Sequence, residues 1–199
     1  MAKKVVAVVG SYRREGTIDQ AVQAILAAAR SRGAATHIIY LTEKHIEFCC
    51  NCLECTQAPG EERGKCSKHD DLEEILKEIE DADAVILGSP VNCGDTTAIF
   101  RQFMERLLGC TDWPWGQAAP RARRKTRPRK AVLVASAAMP GFMIPMFTGT
   151  MKALKTTAGM LEARPVGRMY IGLASYEPHQ KLTTRKRARA RRLGVRLAA

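Results

Sequence analysis

The stretch KKVVAVVGSYRREGTI, residues 3–18, decides the reading of the fold. Lys3–Val9 is a β-branched run that ends at a glycine turn, and Ile18–Arg32 follows with Ile18, Val22, Ile25, Leu26 and Ala29 at helical intervals. A strand feeds a helix. The turn between them, Gly10 to Thr17, holds two glycines, the small hydroxyl residues Ser11 and Thr17, two arginines, Tyr12 and Glu15.

The same alternation continues outward along the chain. Thr36–Leu41 reads as a second short strand, and Asp70–Asp81 as a helix with Leu72, Ile75, Leu76 and Ile79 on one face. Ala84–Gly88 is a fully apolar strand, and Asp95–Leu108 is a helix carrying Ile99, Phe103, Met104 and Leu107. Ala131–Ala135 and Met169–Leu173 are two more strands, separated by a helix within Pro145–Met160, and a last helix runs from Pro178 to the end. Continuous apolar strands that alternate with helices belong to a parallel sheet covered on both faces. The expectation is an α/β fold, a doubly wound five-stranded parallel sheet in the flavodoxin-like strand order 2-1-3-4-5. Residues 1–199 form one domain in this reading, with a cysteine-rich insertion at 46–70 and a basic C-terminal helix at 178–199. Ligands of such sheets bind outside the carboxyl ends of the strands, so the loops after strands 1, 3 and 4 are the candidates.

The formal charge of +12 is local. Residues 121–130 carry seven basic side chains and residues 181–199 carry eight, with no acidic ones, which leaves 17 basic against 20 acidic residues elsewhere. Both segments read as solvated surface or subunit contacts, with attraction of an anionic partner as the alternative. The start is basic then apolar like a secretion signal, but its apolar run is too short and charge stands where a cleavage site would be. No stretch approaches the roughly 20 apolar residues that cross a bilayer. The expectation is a cytoplasmic protein without a membrane partner.

The turn after strand 1 suits a phosphate, because backbone N–H groups and the positive helix end meet there. It is neither GxGxxG nor GxxxxGK[ST], so a dinucleotide of the usual kind is disfavoured and a Walker site excluded. A monophosphate such as that of FMN fits, held by Ser11, Thr17, the Ile18 end of the turn and, through a charge-assisted bond, Arg13. A plain helix cap at Thr17 is the alternative. After strand 3 comes Gly-Ser-Pro-Val-Asn-Cys-Gly, residues 88–94, in which Pro90, Val91, Asn92, Cys93 and Gly94 would offer backbone N–H groups and an apolar edge to an isoalloxazine. Ser136 opens the loop after strand 4, which would approach the pyrimidine side of the ring.

Gly-Ser-x-Arg-x-x-Gly-Thr after the first strand and Gly-Ser-Pro-Val after the third together resemble the NADPH-dependent FMN reductase family, over residues 3 to about 175. The resemblance implies that the first loop holds the FMN phosphate and that the Ser-Pro-Val loop lies along the isoalloxazine. Asn92 stands where an aromatic is common in that family, and Arg106 matches the arginine that usually ends the following helix.

Five of the seven cysteines lie between Cys49 and Cys66. Cys49, Cys52 and Cys55 make C-x2-C-x2-C, a spacing that wraps three thiolates around one corner of a cubane, and Cys66 is the natural fourth ligand. Zinc and free thiols are the alternatives. With the Asp70-Asp71 start of the next helix, this spacing resembles the iron–sulfur flavoprotein branch of the same family, which implies FMN and a [4Fe–4S] cluster in a homodimer or homotetramer. The function expected is flavin-dependent electron transfer between a small-molecule or protein donor and acceptor. A cluster-free NAD(P)H-dependent FMN or quinone reductase is the second reading, and a basic nucleic-acid-binding module the third.

Overall fold

Strand β1 (Lys4–Val9) is an inner strand of the sheet, and each of its side chains after Lys4 is apolar and buried. The computed structural model describes residues 2–124, 126 and 128–199. Around β1 lie β2 (Ala35–Tyr40), β3 (Ala84–Pro90), β6 (Arg129–Ser136) and β7 (Ala163–Ile171), all parallel, in the order β2-β1-β3-β6-β7. Between β3 and β6 the chain also makes a small antiparallel pair, β4 (Thr111–Asp112) with β5 (Arg121–Ala122). Five parallel strands are found as expected, and the numbering departs from 2-1-3-4-5 by that inserted pair.

The side chains of β1 alternate, so the sheet has two cores. Val5, Ala7 and Val9 pack with α1 (Thr17–Arg30) and α6 (Thr184–Ala198) on one face. Val6 and Val8 share the other face with α2 (Leu72–Glu80), α3 (Ala98–Glu105) and α5 (Thr150–Met160), and the single turn α4 (Ile144–Phe147) leads into α5. No described helix is long and apolar enough to cross a membrane.

Several boundaries differ from expectation. The last strand begins at Ala163 rather than Met169, because Arg164, Pro165, Gly167 and Arg168 break the apolar run; an edge strand tolerates them. The basic helix begins at Thr184, capped by the Thr183 hydroxyl, which accepts from the Lys186 N–H. The helix expected to reach Leu108 ends at Glu105 and tightens into a 3-10 turn over Arg106–Cys110.

The basic side chains of α6 are partly engaged with this edge. Lys186 donates to the carbonyl of Tyr170, Arg189 to that of Arg168 at 2.8 Å and Arg196 to that of Val166 at 2.7 Å. Three alternate carbonyls of the open strand are thereby satisfied. The other basic segment is not simply a solvated loop either: Arg129 is buried and donates to the carbonyls of Ile79 and Glu80 at 2.9 and 2.7 Å. Lys125 and Arg127 of that segment lie outside the described residues.

The cysteine-rich insertion is closed at its base by two aspartates. Asp70 accepts from the Glu47 N–H at 2.8 Å and Asp71 from the His45 N–H at 2.8 Å, so the two ends of the insertion meet. Arg106 locks the closure, donating to the Glu47 carbonyl at 2.7 Å and pairing with Asp70, both side chains 1% exposed. Burial alone would raise the Asp70 pKa, but the Arg106 bond and the Glu47 and Leu72 N–H groups overcome it and hold the carboxyl below its ordinary value.

Two outcomes are expected. A Cβ on Gly194 of α6 would stand 2.1 Å from the Ile25 carbonyl oxygen of α1, so Gly194→Ala is expected to lower stability in urea. The cost should be about 1–3 kcal/mol, against less than about 0.5 for Ala188→Ser on the exposed face. Asp70→Asn leaves Arg106 buried and unpaired, at a cost of about 3–5 kcal/mol near neutral pH. Because the folded pKa of Asp70 is depressed, its contribution is present above the unfolded value and is lost as pH falls through the folded one. The gap between wild type and Asp70→Asn in denaturant midpoints should therefore close in acid.

Candidate functional site

The loops after β1, β3 and β6 are stitched to one another by hydrogen bonds. Thr97, wholly buried at the start of α3, donates its hydroxyl to the Gly10 carbonyl at 2.5 Å, and its N–H donates to the Ser89 hydroxyl at 3.1 Å. The Ile99 N–H donates to the Tyr12 hydroxyl at 3.2 Å, and the Val91 N–H to the Ser136 carbonyl at 2.7 Å. Gly10 makes the first approach feasible, since a Cβ there would stand 2.7 Å from that of Phe100. Together these loops border a groove of about 1190 Å³ at the carboxyl ends of the strands.

Ser11, Arg13, Thr17, Ile18, Pro90, Val91, Asn92 and Ser136 all line this groove. Helix α1 opens at Gly16 with no side-chain cap, so its first-turn N–H groups, beside Thr17 and Ile18, remain available to an anion. Ser11 is buried and its hydroxyl accepts from the Arg13 N–H at 3.2 Å. The Arg13 guanidinium reaches across the groove to the Pro178 carbonyl at 2.6 Å. Arg14 stacks 3.1 Å over the Tyr40 ring and pairs with Glu43.

Cys93 and Gly94 are not among the residues lining the groove. Both have positive φ, 48° and 81°, and form the tip of a tight turn in which Asn92 and Asp95 exchange N–H and carbonyl bonds at 2.8 and 3.0 Å. The N–H groups of Val91 and Asn92 are thus already spent, which leaves this loop an apolar edge and the Asn92 side chain. In the loop after β6 the Ala137 N–H is likewise engaged, with the Ile171 carbonyl at 2.9 Å. The far wall comes from residues the sequence reading did not single out, Ser175 and Pro178 to Lys181, with Arg187 of α6. Gln20 anchors that wall by donating to the Gln180 carbonyl at 2.9 Å and accepting from the Leu182 N–H at 3.0 Å. Only the shared fold brings those distant residues together, so no local pattern announces them.

The cysteine region is held by the β4–β5 connection. Arg123 gathers four carbonyls, donating to Ala58 at 2.8 Å, Gly109 at 3.0 Å, and Gly60 and Cys55 at 3.2 Å. Buried Thr56 packs against Trp113: its hydroxyl lies 2.7 Å from the Leu53 carbonyl and 3.1 Å from that of Trp113, and its own carbonyl accepts the Trp113 N–H at 3.2 Å. Gly64 is packed so tightly that a Cβ would stand 1.7 Å from the Cys55 carbonyl oxygen.

Cys55 is half-buried, and burial, followed by the neighbouring Cys66, Cys49 and Cys52, pushes its thiol up to about 11. Cys55 and Cys66 line one small cavity together with Arg106 and Asp70. Cys50, outside the C-x2-C-x2-C…C pattern, is exposed and held below its ordinary value by hydrogen bonds from Cys52. Among the described residues no three Cys, His, Asp or Glu groups converge at metal-binding geometry. The donor set has the chemistry of an iron–sulfur site, while its sulfurs are not drawn onto one point. A second cavity, about 370 Å³ at the amino ends of β6 and β7, is rich in charge, but Arg63 pairs there with Glu80, and Arg124 and Arg129 with Glu162.

Comparison with known proteins follows the same lines. An iron-sulfur flavoprotein of Methanocaldococcus jannaschii is 39% identical over 103 residues, covering 52% of this chain and 51% of its own. An iron-sulfur flavoprotein of Archaeoglobus fulgidus is 31% identical over 105 residues, covering 53% and 46%. The chain spans about half the length of these curated relatives. An NAD(P)H:quinone oxidoreductase from Methanothermobacter marburgensis superposes with a TM-score of 0.71 at 18% identity, over 99% of this chain and 100% of that one. An FMN-dependent NADH-azoreductase from Bacillus anthracis, in complex with FMN, gives 0.71 at 9% identity over 100% of both chains. At those identities the likeness is one of fold. Residues 3–175 match the family model for NADPH-dependent FMN reductase, and the chain belongs to that family of flavin-dependent oxidoreductases.

Proposed function

We propose that the chain is a cytoplasmic FMN-dependent electron-transfer oxidoreductase whose groove holds FMN and whose Cys49, Cys52, Cys55 and Cys66 hold a [4Fe–4S] cluster. The observation that carries the flavin half is the hydrogen-bonded convergence of the Ser11, Pro90 and Ser136 loops on one groove. For the cluster half it is the C-x2-C-x2-C spacing followed by Cys66, with Cys55 and Cys66 lining one cavity.

When bound, FMN supplies exchange between two-electron and one-electron chemistry, and a cluster supplies one-electron storage. The protein's own part is to bind and orient. Ser11, Thr17 and the open N–H groups at the start of α1 hold a phosphate, with Arg13 near enough to add charge. Pro90 and Val91 give a flat ring an apolar edge, Asn92 gives it a polar contact, and Ser136 borders it from the next loop. Arg123 and the Thr56–Trp113 bonds keep the cysteine segment from collapsing outward.

The second reading, a cluster-free NAD(P)H-dependent reductase, keeps the same groove and leaves the cysteines as thiols. It is favoured by the size of the groove, about 1190 Å³, which exceeds the roughly 300–1,000 Å³ usual for one ligand and leaves room for a nicotinamide.

Anaerobic purification followed by absorbance, iron and sulfide determination separates the readings. The proposal expects flavin absorbance with about four iron and four sulfide per chain, while flavin without iron and with rapid bleaching by NADPH selects the second reading. Cys52→Ser should lose the iron, and Cys50→Ser should keep it. A hydroxyl bonded to a charged phosphate contributes about 1.5–3 kcal/mol, so Ser11→Ala should raise the Kd for FMN about tenfold or more. An unchanged Kd in fluorescence titration would remove Ser11 from the phosphate site.

A further inference from the structure

We propose that Arg106 sets the reduction potential of the cluster by donating an N–H hydrogen bond to the sulfur of Cys66; the inference rests on the cluster reading above. The Arg106 side chain is 1% exposed, as is that of Asp70. A guanidinium taken so far from water must have its donors placed, and the placement here is uneven. Nη1 donates to the Glu47 carbonyl and to Asp70. Nη2 donates to Asp70 at 3.3 Å and also points at Cys66 Sγ, 3.5 Å away. Nε has no partner among the described residues, so the group is anchored at its far end and not along its stem.

Among the four proposed ligands Cys66 is singled out by this contact. Cys49 accepts only a main-chain N–H, from Asn51 at 3.4 Å, and no side-chain cation donates to Cys52 or Cys55 among the described residues. A charged donor in a dry setting lowers the electron density on a ligand sulfur and stabilises the more negative, reduced cluster, which moves the potential upward. Asp70 works against this by neutralising the guanidinium. The potential is thus set by an opposed pair, one member on the sulfur and the other behind it. Arg106 also directly follows α3, the helix capped by Thr97, whose hydroxyl fixes the turn bordering the proposed flavin groove, so a single short element joins the two proposed centres.

The opposition gives the test its discriminating power. The anaerobically purified full chain, wild type and variants, would be assayed for iron and sulfide and then titrated to the cluster midpoint. Arg106→Gln and Arg106→Lys both withdraw the fork from Cys66, and each should shift the reduced-to-oxidised ratio at fixed potential at least tenfold toward oxidised, about 59 mV for one electron. Asp70→Asn should shift it the other way, because the cation on the sulfur is no longer neutralised. A merely structural pair would move both sets of variants in the same direction, or would only reduce cluster content. If Arg106→Gln fails to fold, Arg106→Lys keeps the charge buried beside Asp70 and carries the measurement. Normal iron and sulfide with an unchanged midpoint in the Arg106 variants would overturn this inference alone. Absence of iron and sulfide from the wild type would overturn the cluster reading and this inference with it.

Discussion

Thr97 is the constraint on which the groove depends. Its hydroxyl donates to Gly10 and accepts from the Phe100 N–H, so one buried oxygen both fixes the turn after β1 and caps α3. Parallel pairing brings the ends of β1 and β3 to the same edge of the sheet, but it does not bring their loops into contact. A threonine with no exposed surface does that, and only a glycine at position 10 leaves room for it beside Phe100. The groove is therefore a by-product of core packing. Its rim is as rigid as the helix start that carries it.

The cysteine segment is organised by a different principle. It has no regular ladder of its own, and it is pinned from outside by arginines that seek oxygen. Arg123 gathers main-chain carbonyls near Cys55, and Arg106 with Asp70 closes the base near Cys66. Planar five-donor groups suit this work, because each can satisfy several acceptors that a loop leaves unpaired. Cys55 and Cys66 are thus held on one cavity, with Gly64 and Gly109 allowing the backbones to touch.

The sheet and its order of elements were legible because buried parallel strands are written as unbroken apolar runs, and Val5–Val9, Ala84–Leu87 and Ala131–Ala135 are such runs. The turn after β1 stood out because glycines and small hydroxyl residues precede a helix there, and it lines the groove beside a helix start without a side-chain cap. The edge strand was shortened in the reading because Pro165 and Gly167 look like loop, and the pair β4–β5 was missed because two residues carry no periodicity. Arg123, Arg129 and the α6 residues Lys186, Arg189 and Arg196 looked like solvent-facing charge. Their carbonyl partners come from elements remote in sequence, up to 68 residues away for Arg123, and charge composition says nothing of such partners. The far wall of the groove, around Pro178 to Gln180, was unreadable for the same reason.

Capping of the β7 carbonyls by α6 has a consequence for how this molecule can meet others. An uncovered outer strand invites a neighbour to continue the sheet, whether as an orderly dimer or as the seed of a fibril. Here Tyr170, Arg168 and Val166 have already given their acceptors to cationic side chains, so lateral growth from that border would first have to peel away a helix. Sheet extension is left to the opposite border at β2, and any encounter on the β7 side must be made through the outward faces of side chains.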